Sequence, residues 1–225
     1  MHLLDQRILG VVILFLLGML VIFKRMATGF VLDKPKGNLL VQLVNIFNLF
    51  FLLVVNPIAA ILLITRVLET IDPTHMTIEV PWLLLVLEIT GLVVYGMGYF
   101  LMAWALIRLG SNYQLGGSAP RAEDRMIMEG PYKLVRHPMY TAALSISLGL
   151  ACLIQSWAFF CVFCIYLVLI LLLIPMEEDR LQQAYGEQYI AYQQKAKALI
   201  PKRGRGTLFK VITFREIRRE AETGI

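Results

Sequence analysis

Long uncharged apolar runs leave this chain few folds. Ile8 to Phe23 carries no charge and at about 1.5 Å per residue spans roughly 24 Å, enough to cross a thin bilayer. Leu39 to Ile64 is a second such run, and Pro81 to Leu109 a third that contains Glu88 and Arg108. Met139 to Ile154 and Trp157 to Ile174 are again free of charge and are separated only by Gln155-Ser156, a connection short enough to force an antiparallel hairpin. Hydrophobic residues make up 58% of the chain, where soluble domains sit near 45–50%. The expected fold is all-α and integral to the membrane: five transmembrane helices, with a C-terminal helical hairpin and cytosolic amphipathic tail helices. Lys24 and Arg25 follow the first run, whereas a cleaved signal peptide carries its positive charge in front, so the first run is expected to stay as a span.

Polar residues inside the runs are few. Asn45 and Asn48 share a helix face by their spacing and are expected to bond neighbouring helices. Pro57, after Asn56, should kink the second span. Glu88 is ionisable within the third span, which suggests either function or a place near the far interface. Gly91, Gly96 and Gly98 should allow close packing, and Pro175 should end the fifth span. Cys161-x-x-Cys164 has metal or redox spacing without a second pair, so these cysteines and Cys152 read as buried small apolar residues, and no metal site is expected.

Alternating the connections across the membrane puts all but Arg7 and Arg66 of the 21 Lys and Arg residues on one side. By the positive-inside rule that side, with the C-terminus, is cytosolic. The net charge of +5 therefore reflects topology and anionic membrane lipid, and no nucleic-acid partner is expected. Three regions are expected: a three-helix membrane region over 1–110, a region of loop, transmembrane hairpin and tail helix over 111–201, and a basic interfacial tail over 202–225. Glu178, Leu181, Tyr185, Tyr189 and Tyr192 recur along one face of a predicted tail helix, whose first turn would hold Glu177 and Glu178. Thr207 to Glu220 reads as a basic amphipathic helix lying on the inner leaflet.

The densest polar chemistry beside the membrane is Gly130-Pro131-Tyr132 followed by Arg136-His137-Pro138-Met139-Tyr140. Each proline removes a backbone donor and restricts its predecessor, and Pro138 suits the first position of a helix. Arg136, His137 and Tyr140 are thereby set at the mouth of a membrane helix. Tyr and Arg also serve as plain interfacial anchors.

Together with Glu177-Glu178, Leu181, Tyr185-Gly186, Tyr189 and Tyr192, this block resembles the isoprenylcysteine carboxyl methyltransferase family over residues 108–201. The resemblance implies an integral membrane enzyme that uses S-adenosylmethionine as methyl donor and takes a lipophilic small-molecule acceptor. It implies donor contacts at Asp124, Arg125, Met126, Ile127, Tyr132, His137, Pro138, Met139, Tyr140 and Glu177. Glu177 can meet the donor's ammonium, while Glu178 is expected to be structural. Arg136 and His137 are the candidate catalytic residues, with Arg136 available to a substrate carboxylate. The family carries an Arg one helical turn before its paired Glu, and here that position is Leu173, which leaves the acceptor open among a prenylcysteine-like carboxylate, a lipid amine and a small thiol. Sterol reductases also resemble this C-terminal half, so a nicotinamide-dependent membrane reductase is the second reading. A non-catalytic membrane protein is the third. No Gly-x-Gly-x-x-Gly loop is present, which argues against a soluble Rossmann-type methyltransferase.

Overall fold

The computed structural model describes residues 4–29, 39–113 and 125–201. In chain order the helices are α1 (Gln6–Thr28), α2 (Leu39–Phe50), a π-helical turn (Phe51–Val55), α3 (Asn56–Thr65), short α4 (Leu68–Ile71), α5 (Pro81–Leu109), α6 (Pro138–Ile154), α7 (Trp157–Tyr185) and α8 (Glu187–Lys195). Among the described residues the only β pairing is two isolated bridges, His75 with Ser156 and Val135 with Lys197.

Four helical stretches are long and apolar enough to cross a bilayer: Gln6–Thr28, Leu39–Thr65, Pro81–Leu109 and Trp157–Tyr185. The chain is thus a multi-pass integral membrane protein. The expected fourth span, α6, is shorter at 17 residues. Its burial explains its composition, because it is wrapped by neighbours over Ala142, Leu144, Ile146, Ser147 and the whole stretch from Gly149 to Ile154.

Glycine decides how closely α5 and α6 approach. A Cβ on Gly98 would lie 2.8 Å from Ile146 Cγ1 and 2.9 Å from the Ala142 carbonyl, and one on Gly149 would lie 2.6 Å from the Tyr95 nitrogen. The two backbones therefore touch, as small residues permit in membrane bundles. Gly91 meets Cys152 in the same seam, but Gly96 faces open space, so only two of the three expected packing glycines pack. Cys152 is buried as expected, while Cys161 and Cys164 are exposed on the outside of the bundle.

Two sequence expectations fail at the end of the last span. Pro175 does not end it, for α7 runs through Pro175 to Tyr185. A proline costs a helix one N–H bond to the preceding turn, and the continuing α7 absorbs that loss. Nor is the tail stripe one helix. Gly186 adopts φ 55, ψ −131, a conformation open to glycine, and breaks the helix between Tyr185 and Glu187. Glu177 and Glu178 consequently lie inside α7 and not in the first turn of a tail helix. The basic segment Thr207–Glu220 lies outside the described residues.

Glu88 is fully buried at the end of the bundle away from the motif block. It accepts the Leu4 backbone N–H at 2.8 Å and the Gln155 amide at 2.9 Å. Gln155 holds a left-handed conformation at the α6–α7 turn. Glycine is the usual residue there, but only a side chain can reach Glu88. The segment from Asp72 to Met76 covers this turn through Trp157 N–H to Thr74 O (3.0 Å), Met76 N–H to Gln155 O (2.7 Å) and paired Thr74 and Ser156 hydroxyls (2.9 Å).

Candidate functional site

The motif block folds by local rules. Gly130 takes φ +60, and a Cβ there would sit 3.0 Å from Arg108 Cγ, so glycine fits both the backbone and the space. A 3-10 turn follows over Gly130–Lys133, and Pro138 opens α6 at a position that needs no donor. Between them the chain runs extended beside the tail. Arg136 N–H donates to Lys197 O at 2.8 Å, His137 N–H to Ala198 O at 3.0 Å and the Thr141 hydroxyl to Leu199 O at 2.8 Å.

Consecutive residues on a helix point roughly 100° apart, and the paired glutamates use that difference. Glu178 turns to the tail side. Its Oε1 accepts from Arg136 Nε at 2.8 Å and lies 2.6 Å from Arg136 Nη2. His137 Nε2 is 3.1 Å from the same oxygen, and the Gln193 amide donates to Oε2 at 3.2 Å. The remaining Arg136 donors bond the Gln193 carbonyl at 3.3 Å and the Ala196 carbonyl. This clasp ties α7, the α6 entrance and the residues after α8 into one unit. Arg136 and Glu178 side chains are only 13% and 16% exposed, so the pair is well shielded from water.

Glu177 turns instead to a cavity of about 300 Å³, the low end of the range for ligand pockets. Its Oε2 accepts the Tyr140 hydroxyl at 2.6 Å. No group among the described residues donates to Oε1. His137 stacks on Tyr140 at 5.6 Å between centroids. Tyr132 forms another wall, and its carbonyl accepts the Tyr192 hydroxyl. Burial first, then the Glu177 carboxylate, holds the Tyr132 phenol well above its usual value, so it stays protonated and can donate. Burial likewise pushes Tyr192 up to about 12.

The cavity gathers nearly all the residues singled out from sequence. Arg125, Met126, Ile127, Tyr132, Arg136, His137, Pro138, Met139, Tyr140 and Glu177 all line it. Asp124 lies outside the described residues. Sequence reasoning missed the wall contributed by the first half of the chain, which includes Leu20, Lys24, Asn48, Leu52 and Leu106. Only Asn45 and Asn48 gave a signal there, and it pointed to helix pairing. Asn48 does accept the Tyr166 hydroxyl from α7, and both asparagines also face the cavity. Leu173 is fully buried with Val41, Val44 and Tyr166 in an apolar cluster. Among the described residues no group of His, Cys, Asp and Glu could hold a metal ion.

Fold and pocket together define a helical membrane protein with a cavity that is carboxylate-bearing at one end and apolar over most of its wall. The phospholipid methyltransferase family model matches residues 86–188. A protein-S-isoprenylcysteine O-methyltransferase B of Arabidopsis thaliana is 28% identical over 123 residues, 49% of this chain and 57% of that relative. The chain thus spans little more than half the length of that relative. A solved structure of the eukaryotic intramembrane Ras methyltransferase ICMT aligns with TM-score 0.47 and 18% identity over 82% of this chain and 73% of that one. The sequence matches support the isoprenylcysteine carboxyl methyltransferase family that the two motif blocks resemble.

Proposed function

We propose that this chain is an S-adenosylmethionine-dependent methyltransferase acting on a lipophilic acceptor, with its cavity on the cytosolic face of the membrane and α6 crossing as a fifth span. The observation that carries this reading is convergence. The described residues implied as donor contacts come from a loop, a helix entrance and the interior of α7, and all line one cavity.

The residues present fit such a donor. Glu177 offers a carboxylate for the ammonium, with Tyr140 fixing one oxygen and leaving the other toward the cavity. The first turn of α6 carries N–H groups with no carbonyl one turn earlier, which suits the donor's carboxylate. Met126, Ile127, Met139 and Tyr132 supply flat apolar surface for the adenine. When bound, the donor supplies an electrophilic methyl group on sulfur. An acceptor carboxylate is already ionised at neutral pH and needs no general base. The chain's contribution is then to align the two groups and exclude water.

Arg136 and His137 take a positioning role in this scheme. The guanidinium is engaged by Glu178 and two tail carbonyls, so a substrate carboxylate would have to displace partners to reach it. With Leu173 sealed in an apolar cluster, a prenylcysteine-like carboxylate finds no evident cation at that position, and a lipid amine or small thiol is equally in keeping with the site. The sequence matches favour methyl transfer over the nicotinamide reading.

Glu177→Gln keeps the shape and removes the charge. Calorimetry in detergent should show a loss of S-adenosylmethionine affinity of roughly 10- to 150-fold, about 1.5–3 kcal/mol. Wild-type affinity in that variant would remove Glu177 from the donor site, and a wild-type chain that binds a nicotinamide dinucleotide in its place would overturn the reading altogether.

A further inference from the structure

Midway through the second apolar run the helix changes pitch, forming a π turn over Phe51–Val55 between α2 and α3. Asn56 and Pro57 account for it. Pro57 has no N–H, so the Leu53 carbonyl loses its α-helical donor. Asn56 donates twice to the Phe51 carbonyl, through its backbone N–H and, at 2.8 Å, through its side-chain amide. The amide oxygen then accepts the Tyr95 hydroxyl at 2.7 Å. The Tyr99 hydroxyl lies 3.1 Å from that of Tyr95 and 3.5 Å from the same oxygen. Asn56 and Tyr95 are 0% exposed and Tyr99 3%. All three sit well inside their spans, where an unpaired polar group costs most and polar side chains tend to mark function.

Phe51, Leu52 and Leu53 are consecutive, and all three line the cavity. π turns recur at functional sites, and this one lies in the cavity wall. The wall continues as an aromatic stack, Phe51 on Phe47 at 5.8 Å and Phe47 on Tyr166 at 4.7 Å, and so joins α2 to the helix that carries Glu177. None of these residues belongs to the motif blocks or takes part in the donor contacts described above.

We infer that the π turn, held by the Asn56–Tyr95–Tyr99 clasp, is the subsite for the acceptor's hydrocarbon chain, with Leu52 and Leu53 touching that chain and Asn56 positioning them. The inference rests on the methyl-transfer reading. An oily acceptor would lie along this wall with its reacting head toward Glu177 and Tyr140. Clasp and wall would set which chain length brings the head into line.

The test is binding, by calorimetry in detergent, of S-prenylated cysteines with one, two, three or four isoprene units, measured beside S-adenosylmethionine. Leu52→Ala should weaken the best-bound acceptor about tenfold and flatten or shift the chain-length preference, with donor affinity unchanged. Asn56→Leu should do the same, and Tyr95→Phe should move the profile in the same direction by about threefold. Should Asn56→Leu fail to fold, Leu52→Ala, which leaves the clasp intact, decides alone. A Leu52→Ala profile identical to wild type overturns the inference, as do equal losses of donor and acceptor binding. If wild type binds no donor, the functional reading fails, while the acceptor profile still tests the subsite.

Discussion

The two ends of the bundle use their carboxylates differently. At the end away from the motif block, Glu88 is fully buried and accepts from Leu4 and Gln155, so its oxygens join the N-terminus, α5 and the α6–α7 turn. At the motif end the work is divided between two adjacent glutamates. Glu178 does what Glu88 does, gathering Arg136, His137 and Gln193. Glu177, one residue away, keeps an oxygen toward a cavity. Bonding saturation, and not burial or charge, separates the structural carboxylates from the candidate functional one.

Arg136→Ala should break the comparison most severely, because it strips Glu178 of its main partner. Removing one member of a shielded ion pair costs about 3–5 kcal/mol, so thermal unfolding in detergent should show a large loss of stability, with release of the segment after α8. An unchanged melting temperature would show that the clasp holds nothing.

Glu88→Gln sharpens the contrast with Glu177→Gln. The amide would present a donor to the Leu4 N–H or the Gln155 amide, at a cost of about 1–3 kcal/mol in stability. Donor affinity should stay at the wild-type level, since Glu88 is remote from the cavity. The two substitutions thus make a crossed pair, one reducing stability and the other reducing binding. A Glu88→Gln chain that binds S-adenosylmethionine poorly would show that the two ends are coupled.

The smallest effect concerns pH at the motif end. Tyr192 is raised from 10.0 to about 12 by burial, with Arg136 acting against the shift and Glu178 adding to it. Its neutral form is the one the fold favours. The contribution to stability is therefore complete below pH 10.0 and is lost as pH rises through about 12. Melting curves across that window should fall less steeply for Tyr192→Phe than for wild type. Parallel curves would remove Tyr192 from the account.

The long apolar helices and the α6–α7 hairpin were legible in the sequence because each depends on local pattern. Pro81 begins α5, Leu109 ends it, and two residues join Ile154 to Trp157. The residues gathered at the cavity were legible too, through closely spaced residues in two blocks. Where local signals misled, context overrode them. Pro175 stops an isolated helix, but α7 continues through it. The tyrosine stripe has helical period, but Gly186 breaks the helix and α8 sets off anew.

The sequence by itself determined a membrane-embedded helical protein and the residues from which its site is built, because hydropathy, proline and glycine act on the chain within a few residues. Tertiary structure alone decided what those residues do. Glu177 and Glu178 are indistinguishable by type and nearly so by position. Only the packing of α6 and the tail against α7 gives Arg136 to one and a cavity to the other. The same holds for Asn56, whose amide bonds Tyr95 on another helix and also the Phe51 carbonyl of the π turn. Hydrogen-bond partners far apart in sequence meet only when the helices pack, and their assignment is a property of the fold.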